Sequence, residues 1–97
     1  KFPQMSRDLS VIIPKDYEYE KIKDCIKALK IGILKSFRVV DLYEDASLQG
    51  KYSLTIAFVF QNDEKTLADN EVSEQMELIV RSLDENLGLK LRWKFTL

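Results

Sequence analysis

Between Lys51 and Gln61 the chain runs KYSLTIAFVFQ, in which Leu54, Ile56, Phe58 and Phe60 alternate with Ser53, Thr55, Ala57 and Val59. A period of two held over this length gives a strand with one large apolar face and one small-residue face. The first face has to be covered; the second does not. Three other segments keep the same period. In RDLSVII, residues 7–13, Leu9, Val11 and Ile13 alternate with Asp8, Ser10 and Ile12 before Pro14 ends the strand. In FRVVDLY, residues 37–43, Val40 and Leu42 oppose Phe37, Val39, Asp41 and Tyr43. In LKLRWKFTL, residues 89–97, Leu89, Leu91, Trp93 and Phe95 oppose Lys90, Arg92, Lys94 and Thr96. Two intervening stretches change to helical spacing. Ile22, Cys25, Ile26 and Leu29 follow Asp16 as N-cap and stop at Gly32, and Val72, Met76, Ile79, Leu83 and Leu87 follow Asp69 as cap and stop at Gly88.

The order βαββαβ predicts an α+β, ferredoxin-like fold: a four-stranded antiparallel sheet with both helices on one face. Ninety-seven residues, 45% of them hydrophobic, suffice for one core. The expectation is therefore a single domain over residues 1–97. Its opening Lys, in place of Met, suggests a piece of a longer polypeptide. If the large apolar sets turn to the helices, the uncovered face collects Asp8, Ser10 and Ile12, then Val39, Asp41 and Tyr43, then Ser53, Thr55 and Ala57, then Lys90, Arg92 and Lys94. Net charge is −1 and selects no partner, but its distribution is uneven. Residues 69–85 hold Asp69, Glu71, Glu74, Glu77, Asp84 and Glu85 against Arg81 alone, whereas residues 90–94 carry Lys90, Arg92 and Lys94 with no acid.

Composition also excludes chemistry. One cysteine and no histidine rule out an internal disulfide, a CxxC pair and the commonest general base and metal ligand. The chain by itself is expected to be no enzyme and to hold no cofactor or metal. Glu44 and Asp45 form a loop pair with no further ligand beside it. Cys25, Met76 and Trp93 are core residues by spacing. No apolar run is long enough to cross a bilayer, so a soluble, cytoplasmic protein with no membrane partner is expected.

On the uncovered face, three groups carry chemistry, each with a plainer alternative. Lys90, Arg92 and Lys94 in register can hold phosphates, or can protect an edge strand against sheet pairing. Tyr43, in a column with Val39 and Phe37, offers a ring for a nucleobase, or closes a hydrophobic rim. Asp41 is unusual in a strand. Near RNA a carboxylate is unfavourable unless a base donates to it. Guanine presents two adjacent donors, its ring N–H and its exocyclic amine, that suit a bidentate carboxylate. The alternative is an ion pair with Arg7, Arg38 or Lys51.

The segments FP at 2–3, RDLS at 7–10, VVDLYED at 39–45, GKYSLTIAFVFQ at 50–61 and KTLADNEV at 65–72 resemble, in the same order, the ferredoxin-fold anticodon-binding domain that ends the beta subunit of bacterial phenylalanine–tRNA ligase. A similar domain ends the single-chain organellar enzyme. The resemblance implies binding to the anticodon stem-loop of phenylalanine tRNA, whose first anticodon base is guanine, with no DNA partner. It carries base reading to Ser10, Asp41, Tyr43 and Ser53. Lys51, Lys90, Arg92 and Lys94 are the accompanying phosphate candidates. It further implies a parent that charges tRNA with phenylalanine using ATP and magnesium at a site outside this domain, and partners in the rest of the beta subunit and the catalytic alpha subunit. Tyr52, Lys65 and Ala68 depart from the family's usual basic residue, Arg and Thr, and Ser10 stands where Ala is also common. A regulatory, amino-acid-binding domain of the same fold is the competing class. Its glycine-rich interface loops are hard to build from three glycines.

Overall fold

The computed structural model describes residues 2–44 and 46–93, with Trp93 described through its backbone only. Asp45, Lys94 and the expected continuation of the last strand lie outside the described residues. The elements are β1 (Met5–Ile13), α1 (Tyr19–Ala28), β2 (Leu34–Glu44), a 3-10 turn at Ala46–Leu48, β3 (Tyr52–Phe60), α2 (Asp69–Leu87) and β4 (Lys90–Trp93). The sheet order is β2-β3-β1-β4 with every pairing antiparallel. This is the ferredoxin-like arrangement that the periodicities predict.

β1 and β3 occupy the sheet centre, each with a neighbour on both sides. Leu9, Val11 and Ile13 of β1 and Leu54, Ile56, Phe58 and Phe60 of β3 meet Ile22 and Ile26 of α1 and Val72, Met76, Ile79 and Leu83 of α2 in one core. Each such side chain contributes roughly 1.5–3 kcal/mol on burial. That layer fixes which face of the sheet is left for a ligand. Cys25 is half-buried between the helices, its thiol 3.2 Å from the Ser82 hydroxyl.

The helix ends differ from the expected ones. α1 is capped by Glu18, with no side-chain cap bond, while Asp16 sits before it in a left-handed turn at φ 65°. The helix ends at Ala28, where Leu29 and Lys30 donate backwards to the Ile26 and Lys27 carbonyls, and Lys30 takes the left-handed conformation (φ 51°) before the chain reaches Gly32. α2 is capped by Ala68, and Asp69 is its first helical residue. Alanine has no side-chain acceptor. Only the return half of a capping box is made, with the Ala68 N–H donating to Glu71 Oε1 at 2.9 Å. At the other end Gly88 (φ 68°) lets its own N–H reach the Asp84 carbonyl, the 5→1 bond of a left-handed C-cap, and the Leu89 N–H reaches the Leu83 carbonyl as the chain turns into β4.

β2 departs most from its pattern. Its pairing with β3 slips between Leu34 and Ser36 and again between Val39 and Asp41. Phe37 pairs with Phe58 and Val39 with Ile56, so both face the helices, and the Phe37 ring lies 5.9 Å from that of Phe58. Asp41 pairs with Thr55 and Tyr43 with Ser53, so both face the opposite side. Val40 is the extra residue of a bulge, which resets the alternation by one. The expected column of Phe37, Val39, Asp41 and Tyr43 is thus divided: the first two belong to the helix face and only the last two to the open one. β4 slips as well. Leu91 pairs with Val11 and Trp93 with Ser10, leaving Arg92 as the extra residue between them. The core placement expected for the Trp93 side chain lies outside the described residues.

Candidate nucleic-acid interface

Strand register sorts the open face into rows that cross the sheet. One row runs Asp41, Thr55, Ser10; the next runs Tyr43, Ser53, Ile12, Lys90. With strands about 4.8 Å apart, Asp41 and Ser10 are separated by roughly 10 Å of sheet. Hence the four expected base-reading residues do come together on one face. Asp41 and Tyr43 lie on the exposed edge strand; Ser10 and Ser53 lie on the central ones.

Their accessibility differs sharply. Tyr43 is 40% exposed and Asp41 is exposed, but Ser10 and Ser53 are 0% and 1% exposed although neither faces the helix core. The Ser10 hydroxyl is engaged with Thr55 Oγ1 at 2.6 Å. Ser53 Oγ is buried with no hydrogen-bond partner among the described residues. The feature above the serines is a contact that spans the sheet: Arg92 of β4 places its Cζ 5.0 Å from the centroid of the Tyr43 ring of β2. Because β1 and β3 lie between them, the two long side chains meet across strands whose open face here carries Ser53, Thr55, Ser10 and Ile12.

The charges are arranged differently from the simple basic edge expected. Arg92 is directed at a ring, and Lys90 reaches back to Asp84 at the end of α2, 2.6 Å away. Lys51 is exposed in the loop before β3. Lys94 lies outside the described residues. None of the three ion-pair partners considered for Asp41 engages it among the described residues: Arg7 instead bridges to Asp69 at 3.5 Å, and neither Arg38 nor Lys51 makes an ion pair there. Asp41 therefore presents its carboxylate beside an aromatic ring. Arg38 shares the open face through its pairing with Ala57. On the helix side, a cleft of about 670 Å³ between α1 and β2 is lined by Lys23, Lys27, Lys30 and Lys35 over Phe37 and Val39. Tyr19 also borders this cleft, and burial, with Glu20 second, pushes its phenol up from its ordinary value.

A family model, the ferredoxin-fold anticodon binding domain, matches residues 1–92. The chain belongs to that family. Among curated relatives, the phenylalanine–tRNA ligase beta subunit of Campylobacter jejuni (strain RM1221) is 53% identical over 92 residues, which is 95% of this chain and 12% of that protein. The corresponding subunit of Sulfurimonas denitrificans is 41% identical over the same shares of each chain. That of Streptococcus pyogenes serotype M18 is 36% identical over 93 residues, again 95% and 12%. This anticodon-binding domain thus spans about 12% of the length of the relatives it matches. No described helix is long and apolar enough to cross a membrane.

Sequence reasoning placed Thr55 on the open face without giving it a role, and did not foresee the contact of Arg92 with the Tyr43 ring. Both omissions have one source. The pairing of Ser10 with Thr55 and the reach of Arg92 to Tyr43 depend on strand register and on two bulges, which alternation within a single strand does not encode.

Proposed function

We propose that the open sheet face binds the anticodon stem-loop of phenylalanine tRNA and reads its first base, guanine. Asp41 accepts from the two donors on the guanine pairing edge, Tyr43 stacks on the base, and Ser10 and Ser53 line the floor beneath it. The observation that carries this reading is the juxtaposition of Asp41, engaged in no ion pair among the described residues, with a half-exposed tyrosine beside the small residues Ser10, Ser53 and Thr55 of the central strands. A carboxylate in that position suits a guanine and repels a bare phosphate. Phosphate contacts come from Lys51, Arg38 and the basic end of the chain, including Lys90, Arg92 and Lys94. That the relatives are phenylalanine–tRNA ligase beta subunits supports tRNA over the amino-acid-regulated class.

In this reading the chain is a non-catalytic module of a cytoplasmic beta subunit. It works with the rest of that subunit and a catalytic alpha subunit, where ATP and magnesium support the charging of tRNA with phenylalanine. The test is a titration of the chain with a phenylalanine anticodon stem-loop at two salt concentrations, beside a loop in which adenine replaces the first anticodon guanine. Weaker binding of the adenine loop at both salts supports base reading. Equal binding of the two loops overturns it.

A further inference from the structure

The outer edge of β2 is long, apolar and unpaired among the described residues. The strand has eleven residues, with β3 on one side and no strand on the other. Apart from Phe2, every exposed large hydrophobic side chain among the described residues lies on it: Val39, Val40, Leu42 and Tyr43. Val39 and Leu42 pair with Ile56 and Leu54 and so face the helix side, yet they are 38% and 53% exposed. Neither helix covers this stretch of the edge. A strand edge of this length and character is a template for another strand, and proteins ordinarily blunt it.

The charges along β2 select which strand can add there. Lys35 and Arg38 occupy its first half, Asp41 and Glu44 its second. Turned end for end about the midpoint between Val39 and Val40, the strand sets Arg38 opposite Asp41, Lys35 opposite Glu44, Phe37 opposite Leu42 and Val39 opposite Val40. Every charge then meets its opposite and apolar meets apolar, which is the favourable cross-strand arrangement. A shift of one residue destroys the match, placing Arg38 against Val40 or Leu42 and Asp41 against Phe37 or Val39. Opposed residues must also share a face of the sheet. Phe37 and Leu42 face the helices, Arg38 and Asp41 face the open side, and the bulge places Val39 and Val40 together opposite Ile56. Outward from the midpoint, the two halves of β2 therefore present the same succession of faces. Strict alternation through Val40 would instead set helix-facing residues against open-facing ones in this register. A regular strand of another protein can match one half of β2 and is out of phase with the other.

We propose that β2 pairs with β2 of a second copy of this chain, antiparallel about a two-fold axis between Val39 and Val40, joining the two sheets into one. The axis stands perpendicular to the sheet, so both copies keep their helices on the same side and each contact is made twice. On the open side, Arg38 of each copy meets Asp41 of the other; neither residue makes an ion pair among the described residues of the single chain. Lys35 already has Asp63 at 3.4 Å, so the Arg38–Asp41 pairs carry most of the charge recognition. On the helix side, Phe37, Val39 and Leu42 of both copies form one apolar floor. Lys23, Lys27 and Lys30 line the cleft beside that floor in each copy and repel their counterparts, which keeps the association weak and reversible. The pairing goes beyond the RNA reading and does not depend on it, but it bears on it. A carboxylate of Asp41 held by Arg38 of the other copy cannot accept from a base, so the dimer and a bound guanine exclude each other.

The test needs no RNA. Sedimentation equilibrium of the chain from about 10 μM to about 1 mM, the range of weak association, should show a monomer–dimer equilibrium. A chain that stays monomeric throughout leaves the edge to a different partner and overturns the proposal. Arg38→Asp and Asp41→Arg each set like charges opposite each other, and each alone should weaken the dimer by at least about tenfold. Mixed in equal amounts, the two variants set opposite charges against each other at both positions, and the dimer should return. Its return also shows that both variants are folded. A dimer indifferent to either substitution overturns the register. Isotope-filtered NOEs in a half-labelled wild-type sample check the register without any substitution: they should join the Phe37 ring of one copy to the Leu42 methyl groups of the other. Intermolecular NOEs confined to other elements overturn β2 as the interface.

Discussion

Replacing Asp41 by Ala tests the base-reading role at one pair of oxygen atoms. The residue is exposed on the edge strand, pairs with Thr55, and is engaged by no ion pair among the described residues, so its removal breaks no structural bond there. Folding stability should change by less than about 0.5 kcal/mol, as for surface positions generally. Binding should change much more. Two hydrogen bonds to a charged acceptor are worth about 1.5–3 kcal/mol each in a dry site, but this carboxylate stays in contact with water, so about 1–3 kcal/mol in total is expected. That is about a 5- to 150-fold increase in Kd for a stem-loop that begins its anticodon with guanine. Inosine at that position keeps the ring N–H and lacks the exocyclic amine, so it should bind the wild-type chain with an intermediate affinity. Adenine offers neither donor in that arrangement and should bind worst. In Asp41→Ala all three loops should converge to within about twofold, a residual discrimination of about 0.4 kcal/mol or less. The assay is fluorescence anisotropy with the three loops at fixed salt, repeated at a second salt concentration. A mutant that still ranks guanine over inosine over adenine refutes direct reading by Asp41 and transfers the discrimination to Ser10, Tyr43 or Ser53.

Other consequences concern stability and strand geometry. Ala68→Ser supplies the acceptor that the α2 N-cap lacks and should raise stability by about 0.5–1 kcal/mol, seen as a rise of a few degrees in the thermal midpoint; no rise would mean that the Glu71 return bond already suffices. Glu71 is held below its ordinary value first by the Ala68 N–H and then by Lys65, so its contribution is full above the ordinary carboxylate pKa of 4.5 and disappears as pH falls through the lowered one. Glu71→Gln should therefore flatten the acid limb of a plot of thermal midpoint against pH, and an acid limb of unchanged steepness would remove Glu71 from the acid response. Deleting Val40, the bulge residue, should leave Phe37 and Val39 against the core and Asp41 and Tyr43 on the open face, with stem-loop affinity within about tenfold of wild type. Deleting Leu42 should turn Tyr43 to the wrong face and abolish binding; equal damage from the two deletions would show that Val40 is an ordinary strand position.

The central strands were legible in the sequence because their pattern is dictated from both sides. Leu54, Ile56, Phe58 and Phe60 all meet the helices, and their uninterrupted alternation needs no knowledge of any partner strand. The helices were legible for the same reason, since Val72, Met76, Ile79 and Leu83 sit on one stripe. Their ends were less so. Asp16 and Asp69 are good capping residues by type, but the turns put Glu18 and Ala68 at the caps, where tertiary packing of the first helical turn outweighs a single side-chain hydrogen bond. The edge strands were the least legible. β2 and β4 each have a neighbour on one side only, so a bulge is tolerated there that a central strand would resist, and it leaves no mark on composition.

That weakness of the edges is also what makes the open face usable. Strict alternation through residues 37–43 forces a choice: if Asp41 and Tyr43 point away from the helices, so do Phe37 and Val39, and the core loses the Phe37 contact with Phe58. The bulge at Val40 removes the conflict, giving the near half of β2 to the core and the far half to the ligand. A second bulge, at Arg92, does the same for β4, keeping Leu91 paired with Val11 while Arg92 reaches Tyr43. β1 and β3 between them are regular, and there the open face carries Ser10, Ser53 and Thr55, side chains short enough for two long ones to meet above them. Irregular edges around a regular centre therefore produce both halves of the site. An acid inside a strand, read alone, looks like a fault in β2; with the register known, it marks the point at which the strand stops serving the core.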